Sequence, residues 1–370
     1  MTPDNTPSAP STGRPISAIL REAQNVIESS LYGLKPFFDD PRVNEIMINH
    51  RDAVFVERAG EGIFAVDRAQ HKLRDSDIML AISAIMKLNG KDTAMIMDAR
   101  LQGLRVAAAL PPVAIHGPAL VIRKHAAKII PLEAYVKSGA FRVAHEDLRR
   151  AELDAAAGER ARHEDMAKLG DEGFMTFLRW AVRSHANILI CGGTSSGKTT
   201  LASSCLAEIP FDERIITCED THEIQLLQPN VLQFEALPGI DGRPEVTIRN
   251  LIKLCLRSRP DRVVVGEIRG PEAYDFLDAM NTGHSGSICT IHANSAAQGL
   301  SRLESLIRMS PTAANMPLLS MRTEIASAIH YVMHQTRAGG ERAPQEVLAL
   351  DGVEDDGSYR TRLLFSKTGV

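Results

Sequence analysis

Between the apolar run Asn187–Cys191 and a helix-favouring run that begins at Thr200 lies the segment Gly192-Gly193-Thr194-Ser195-Ser196-Gly197-Lys198-Thr199. It satisfies G-x-x-x-x-G-K-[ST], and it stands where that pattern has physical meaning, after a strand and before a helix. The glycines let the backbone wrap a phosphate, while loop N–H groups and the helix N-terminus supply positive potential. Lys198 is placed to reach β- and γ-phosphates, and the Thr199 hydroxyl to ligate Mg²⁺. The expected phosphate-binding set is therefore Gly192, Gly193, Thr194, Ser195, Ser196, Gly197, Lys198, Thr199 and Thr200.

Around this loop, β-branched runs at Asn187–Cys191, Arg214–Cys218, Val263–Gly266, Ser287–Ile291 and Ile329–Met333 alternate with helical patterns. That alternation predicts an α/β domain with a mostly parallel sheet and crossover helices. In such a sheet the ligand sits beyond the carboxyl ends of the strands. Residues just after each run should then face the phosphates: Glu219 and Asp220, Glu267, and His292. Glu267 follows three valines and is the expected catalytic base, orienting or deprotonating the attacking water. Glu219 is expected in the outer shell of the metal or water, so Thr199 and Glu219 form the metal set. His284 and His292 bracket the run Ser287–Ile291 and are candidates to sense the γ-phosphate or to bond the acidic groups. Zinc is disfavoured, because no cysteine or carboxylate cluster stands at ligand spacing beside them.

The rest of the chain sets the frame. With 370 residues, 44% apolar and 24% charged, the composition is that of a globular chain of about two domains. No apolar run approaches the ~18–20 residues needed to span a bilayer, which leaves peripheral attachment open. Residues 1–15 are rich in Pro, Thr and Ser without an apolar stretch, and are expected to be a disordered tail. Residues 16–135 read as an α+β N-terminal domain: a helix over Ser17–Leu34, a meander at Val43–Ile48, Val54–Val56 and Ile63–Val66, a helix at Ile78–Leu88, and strands at Leu104–Leu110 and Leu120–Arg123. Residues 136–172 read as a charged, solvated helical linker. Residues 173–335 are expected to form the domain that carries the phosphate loop and 336–370 a C-terminal appendage. Five scattered cysteines without a C-x-x-C pair fit reduced core thiols in a cytoplasmic protein. A net charge of -4 with 5% aromatics gives neither the electrostatic footprint nor the stacking platform of a dedicated nucleic-acid binder, though DNA threading through a pore is left open.

Four ordered blocks, GGTSSGKTT, CEDTHEIQL, VVVGEIRG and TGHSGSICTIHAN, resemble the secretion or traffic ATPases of conjugation and type IV secretion systems, a group that also includes pilus motors. The likeness extends from residue 36 to 355 and is nearest to TrbB-like conjugation ATPases. It implies a RecA-like domain with ATP and Mg²⁺ as ligands, and the blocks as Walker A loop, Asp box, atypical Walker B and His box. It further implies a homohexameric ring docked on inner-membrane components at the cytoplasmic face. In such rings ATP sits between the two domains, and Arg105 in GLRVAAALPP and Arg123 in ALVIRKH match the N-terminal arginines that reach the phosphates. Two departures stand out: Ser195 replaces an inner glycine of the loop, where a side chain resists positive φ, and Gly266 stands where many such enzymes carry a metal-binding Asp. The resulting expectation is an ATP-hydrolysing motor for substrate transfer or pilus assembly. Its rivals are a pilus assembly or retraction ATPase, a RecA-like DNA translocase, and a nucleotide-gated assembly platform.

Overall fold

The computed structural model describes residues 25–88, 94–101, 104–124, 158–165, 167, 170–237, 244–338 and 341–366. The expected tail over 1–15 and most of the linker over 136–172 lie outside them. Among the described residues the strands form two sheets. The N-terminal sheet comprises β1 (Val43–His50), β2 (Ala53–Arg58), β3 (Gly62–Ala65), β4 (Ile96–Leu101), β5 (Leu104–Ala109) and β6 (Ala119–Lys124), in the order β3-β2-β1-β6-β5-β4. All its pairs are antiparallel. The period-two side-chain alternation of its strands decides what each face covers. Ile46, Ile48, Val54, Val56, Val106 and Ile122 pack on Leu31, Leu34, Ile78, Ile82 and Ile85, sealing one face with helices. Met47, Phe55, Ala107 and Val121 on the other face join the core of the second half. Burying each such Val, Ile or Leu stabilises by about 1.5–3 kcal/mol.

The second sheet comprises β7 (Ile188–Gly192), β8 (Ile215–Glu219), β9 (Val231–Glu235), β10 (Arg262–Val265), β11 (Ile288–His292), β12 (Tyr331–Ala338), β13 (Glu341–Val353) and β14 (Tyr359–Ser366). Its order is β14-β13-β12-β7-β11-β10-β8-β9. Strands β7 to β12 pair in parallel, β13 adds antiparallel to β12, and β14 antiparallel to β13. Residues 341–366 therefore continue the sheet, where the sequence reading ended the domain at 335 and left an appendage. Strand β9, unread in the sequence, extends the opposite edge.

The helices crossing this sheet follow the expected periodicity. Over Ile248–Cys255, Leu251, Ile252 and Cys255 are fully buried, and Thr247 caps the start in a box with Asn250. The helix Lys198–Leu206 begins two residues before the predicted start at Thr200, because the last residues of the loop form its first turn. One correction concerns the charged segment. Glu164 on the helix 158–165 is not solvated but 2% exposed: the Tyr331 hydroxyl donates to its Oε1 at 3.0 Å and Arg362 Nη2 to its Oε2 at 2.8 Å. Among the described residues no helix is long and apolar enough to cross a membrane.

Candidate active site

Strand β7 delivers the glycine-rich loop to the carboxyl edge of the sheet. There Gly192 pairs with His292 of β11 on one side and Gln335 of β12 on the other. A Cβ on Gly192 would stand 2.2 Å from Gln335 O and 2.7 Å from Ser196 Oγ, so only glycine fits between the strands. The loop then turns through Ser195 at φ 57° and Gly197 at φ 93°. Ser195 thus takes the left-handed conformation in which a side chain costs about 1–2 kcal/mol. Gly197 caps the helix Lys198–Leu206 without a side chain, leaving its first N–H groups free of side-chain caps and open to an anion. Ser196 Oγ is buried without a hydrogen-bond partner among the described residues, a polar atom suited to a phosphate oxygen. Lys198 is buried, its Nζ donating to Gly192 O at 3.0 Å and Gly193 O at 2.9 Å. Burial pulls this ammonium below its ordinary value, opposed by the nearby charge of Glu267.

Facing the loop, Thr199, Glu219, Asp220, Thr221, Glu223, Gly266, Glu267 and Arg269 line one cleft. The strand-end argument explains why: β7, β11, β10 and β8 are adjacent and parallel, so their carboxyl ends converge. Glu267 is half-buried. Its Oε1 lies 2.9 Å from His292 Nε2 and its Oε2 accepts from Arg269 Nη2 at 2.8 Å. Burial opposes its charge, but the Arg269 hydrogen bond and the charges of His292, Arg269 and Lys198 outweigh burial and hold the carboxyl below its ordinary value. Asp220 lies 3.4 Å from Arg269 Nη1, and burial raises its carboxyl despite that contact.

Glu219 is 1% exposed. Its Oε1 accepts the N–H groups of Glu223 at 3.0 Å and Ile224 at 2.9 Å, and its Oε2 meets His222 Nδ1 at 3.2 Å. Gly266 makes room for it, since a Cβ there would lie 3.0 Å from Glu219 Cγ. A carboxylate so tethered acts on a metal through water more readily than by direct ligation. Thr199 lines the same cleft, so an Mg²⁺ bound with a nucleotide would find a hydroxyl and hard carboxylate oxygens, the donor set that ion prefers.

Three expected residues lie elsewhere. His284 follows the helix Glu272–Asn281, its Nδ1 lying 3.3 Å from Ala279 O. It precedes β11 and so stands at the amino edge of the sheet, away from the loop. Only His292 of the pair reaches the cleft. Arg105 and Arg123 are cross-strand partners on β5 and β6. Arg105 Nε lies 3.6 Å from Oδ1 of Asp98, whose Oδ2 binds Arg257; Arg123 Nε lies 3.6 Å from Oε1 of Glu45, whose Oε2 faces Arg259. Arg257 and Arg259 lead into β10, so these arginines too sit toward the amino edge and do not reach the loop of their own chain. Arg269 and His222 were missed, although Arg269 lies two residues beyond Glu267 and the strand-end argument extends to it. His222 shows its value only through its contact with Glu219.

The family model for the Type II/IV secretion system protein matches residues 159–338. The conjugal transfer protein TrbB of Rhizobium radiobacter is 32% identical over 87% of this chain and 88% of its own. The type IV secretion system protein VirB11 of Brucella suis is 32% identical over 86% of this chain and 88% of its own. The crystal structure of the VirB11 ATPase from the Brucella suis type IV secretion system in complex with sulphate superposes with a TM-score of 0.76 at 29% identity, covering 90% of this chain and 96% of that one. The chain therefore belongs to the type II/IV secretion system protein family, among the traffic ATPases of type IV secretion and conjugal transfer.

Proposed function

We propose that this chain is an ATP-hydrolysing motor of a type IV secretion or conjugal transfer apparatus, working as a homohexameric ring on the cytoplasmic face of the inner membrane. One observation carries the reading: Thr199, Glu219 and Glu267 line a single cleft beside the loop that holds Lys198. When bound, ATP with Mg²⁺ supplies a terminal phosphoryl group whose transfer to water releases the energy used.

The chain's own residues divide the remaining work. Loop N–H groups and Lys198 bind the phosphates, which replace the two loop carbonyls as acceptors for the ammonium. Thr199 would hold the metal, with Glu219 acting on it through water. Glu267, kept ionised by Arg269 and His292, orients the attacking water and accepts its proton. Arg105 and Arg123, which do not reach the loop of their own chain, act on the site of a neighbouring copy. A trans arginine of this kind contributes about 10³–10⁵ in rate.

The RecA-like core supports a cycle in which hydrolysis moves the N-terminal domains against the ring, and membrane-bound machine components receive that motion. The test is Mg²⁺-dependent ATP turnover by the purified chain together with its mass in solution. Turnover by a hexamer is expected. A chain that stays monomeric, or binds nucleotide without turnover at any concentration, contradicts the reading.

A further inference from the structure

Residues 113–116 of the N-terminal half lie along the free edge of β9. Glu235 N–H donates to Val113 O at 2.9 Å, Ile115 N–H to Gln233 O at 3.3 Å, and Ala114 bridges Phe234. The His116 side chain extends this contact, its Nε2 lying 2.9 Å from Gln233 Oε1. Gln233 Nε2 donates in turn to Ile224 O at 3.0 Å. That bond fixes which way the amide points, so its Oε1 accepts and His116 Nε2 carries the proton.

The same Ile224 uses its N–H to hold Glu219 Oε1. On the other flank, His222 Nδ1 holds Glu219 Oε2, and its ring meets the His116 ring edge-on with centroids 6.3 Å apart at 86°. A carboxylate only accepts, which puts the second proton on His222 Nδ1. His116, Gln233, Ile224, Glu219 and His222 thus close a circuit around one cleft carboxylate. Four of its members belong to the second half of the chain, and His116 comes from the first. Gln233 and Glu219 are 5% and 1% exposed, and a satisfied buried network of this kind fixes orientation.

We propose that His116, Gln233 and His222 are positioning residues for Glu219, through which the seating of the N-terminal domain on β9 sets the geometry of the nucleotide cleft. The inference rests on hydrolysis at that cleft. It predicts that the domain must be seated for Glu219 to act, while nucleotide binding at the loop does not require it.

The experiment compares the full chain with its His116→Ala, His116→Gln and His222→Ala variants in steady-state ATP hydrolysis and in binding of a fluorescent ADP. His116→Ala should lower kcat by roughly 10–100-fold, the usual cost of losing a supporting partner. KM for ATP and ADP affinity should stay within about threefold, because the interaction acts on the transition state rather than on binding. His116→Gln keeps an N–H able to reach Gln233 Oε1 and should restore most of kcat, which a purely packing role would not do. His222 is a part-exposed loop residue, so His222→Ala keeps the test valid if His116→Ala fails to fold. An active wild type matched in kcat by both alanine variants overturns the circuit alone. A wild type that binds nucleotide but never turns it over overturns the reading of the cleft and the circuit with it.

Discussion

His292 Nε2 stands 2.9 Å from Glu267 Oε1, joining the last residue of β11 to the residue two positions beyond β10. The contact exists because these strands are parallel neighbours whose carboxyl ends finish at the same edge. With Arg269 donating to its second oxygen, the carboxylate lies between an imidazole and a guanidinium. A general base needs that arrangement: a fixed direction and a charge retained at neutral pH.

The acid limb of the pH–rate profile should therefore lie below the ordinary carboxylate range. Although burial raises the Glu267 carboxyl, the Arg269 hydrogen bond leads the groups that outweigh it, so the net shift is downward. The ionised form then persists above the ordinary value and is lost as pH falls through the lowered one. Any stability it contributes has the same sign and disappears over the same acidic window. Arg269→Ala should move the acid limb of kcat/KM to higher pH. An unmoved limb would contradict the assignment of Glu267 as the titrating base.

Two adjacent glycines should respond differently to one methyl group. A Cβ on Gly192 collides with the Gln335 carbonyl at 2.2 Å, whereas one on Gly193 meets nothing within 4 Å. Gly192→Ala should destabilise the chain by about 1–3 kcal/mol, as overpacking between paired strands does. Gly193→Ala should stay within about 0.5 kcal/mol, as exposed substitutions do. Denaturant unfolding curves of the two variants check the contrast.

Arg214 is fully buried between the halves of the chain. Its Nη1 donates to Asn49 Oδ1 and Asn230 Oδ1, both at 2.6 Å, its Nε donates to Ser258 O at 3.0 Å, and burial lowers its guanidinium to about 10. Arg214→Ala removes the guanidinium that donates to Asn49 Oδ1 and Ser258 O and leaves Asn230 Oδ1 with Asn49 Nδ2 alone, at 3.1 Å, and should cost about 3–5 kcal/mol. Arg214→Met, which fills the space without the charge, should cost less. Equal losses in thermal unfolding would show that volume rather than the polar network holds the domains.

Arg105 and Arg123 give a test of action between copies. A chain carrying Arg105→Ala and Arg123→Ala keeps its loop, and a chain carrying Lys198→Ala keeps its arginines. Each alone should be inactive, while refolded mixtures should regain turnover at interfaces that unite an intact loop with intact arginines. Mixtures as inactive as their parents would place the arginines outside the chemistry.

The loop, Glu219, Glu267 and His292 were legible because a motif marked one strand end and parallel topology brought the others to it. What escaped depended on distant partners. Strand β9 carries Gln233 and Glu235 in five residues, and their polarity hides a strand whose edge is covered by residues 113–116. Strand β4 is built on Met97 and Ala99, residues with little β-signal of their own. Glu164 looks like one more charge in a solvated run until Tyr331, 167 residues away, supplies its partner. His284 was misplaced for a simpler reason: nearness to a strand in sequence does not say which end of the strand faces the ligand.

The most direct measurement is a pairing of nucleotide binding with single-turnover hydrolysis for Lys198→Ala and Glu267→Gln, made on the assembled chain with Mg²⁺. The account predicts that Lys198→Ala loses nucleotide binding, whereas Glu267→Gln binds as the wild type does and is slowed by roughly 10²–10⁴-fold, the range of a lost general base. A Glu267→Gln variant that hydrolyses ATP at the wild-type rate would contradict it.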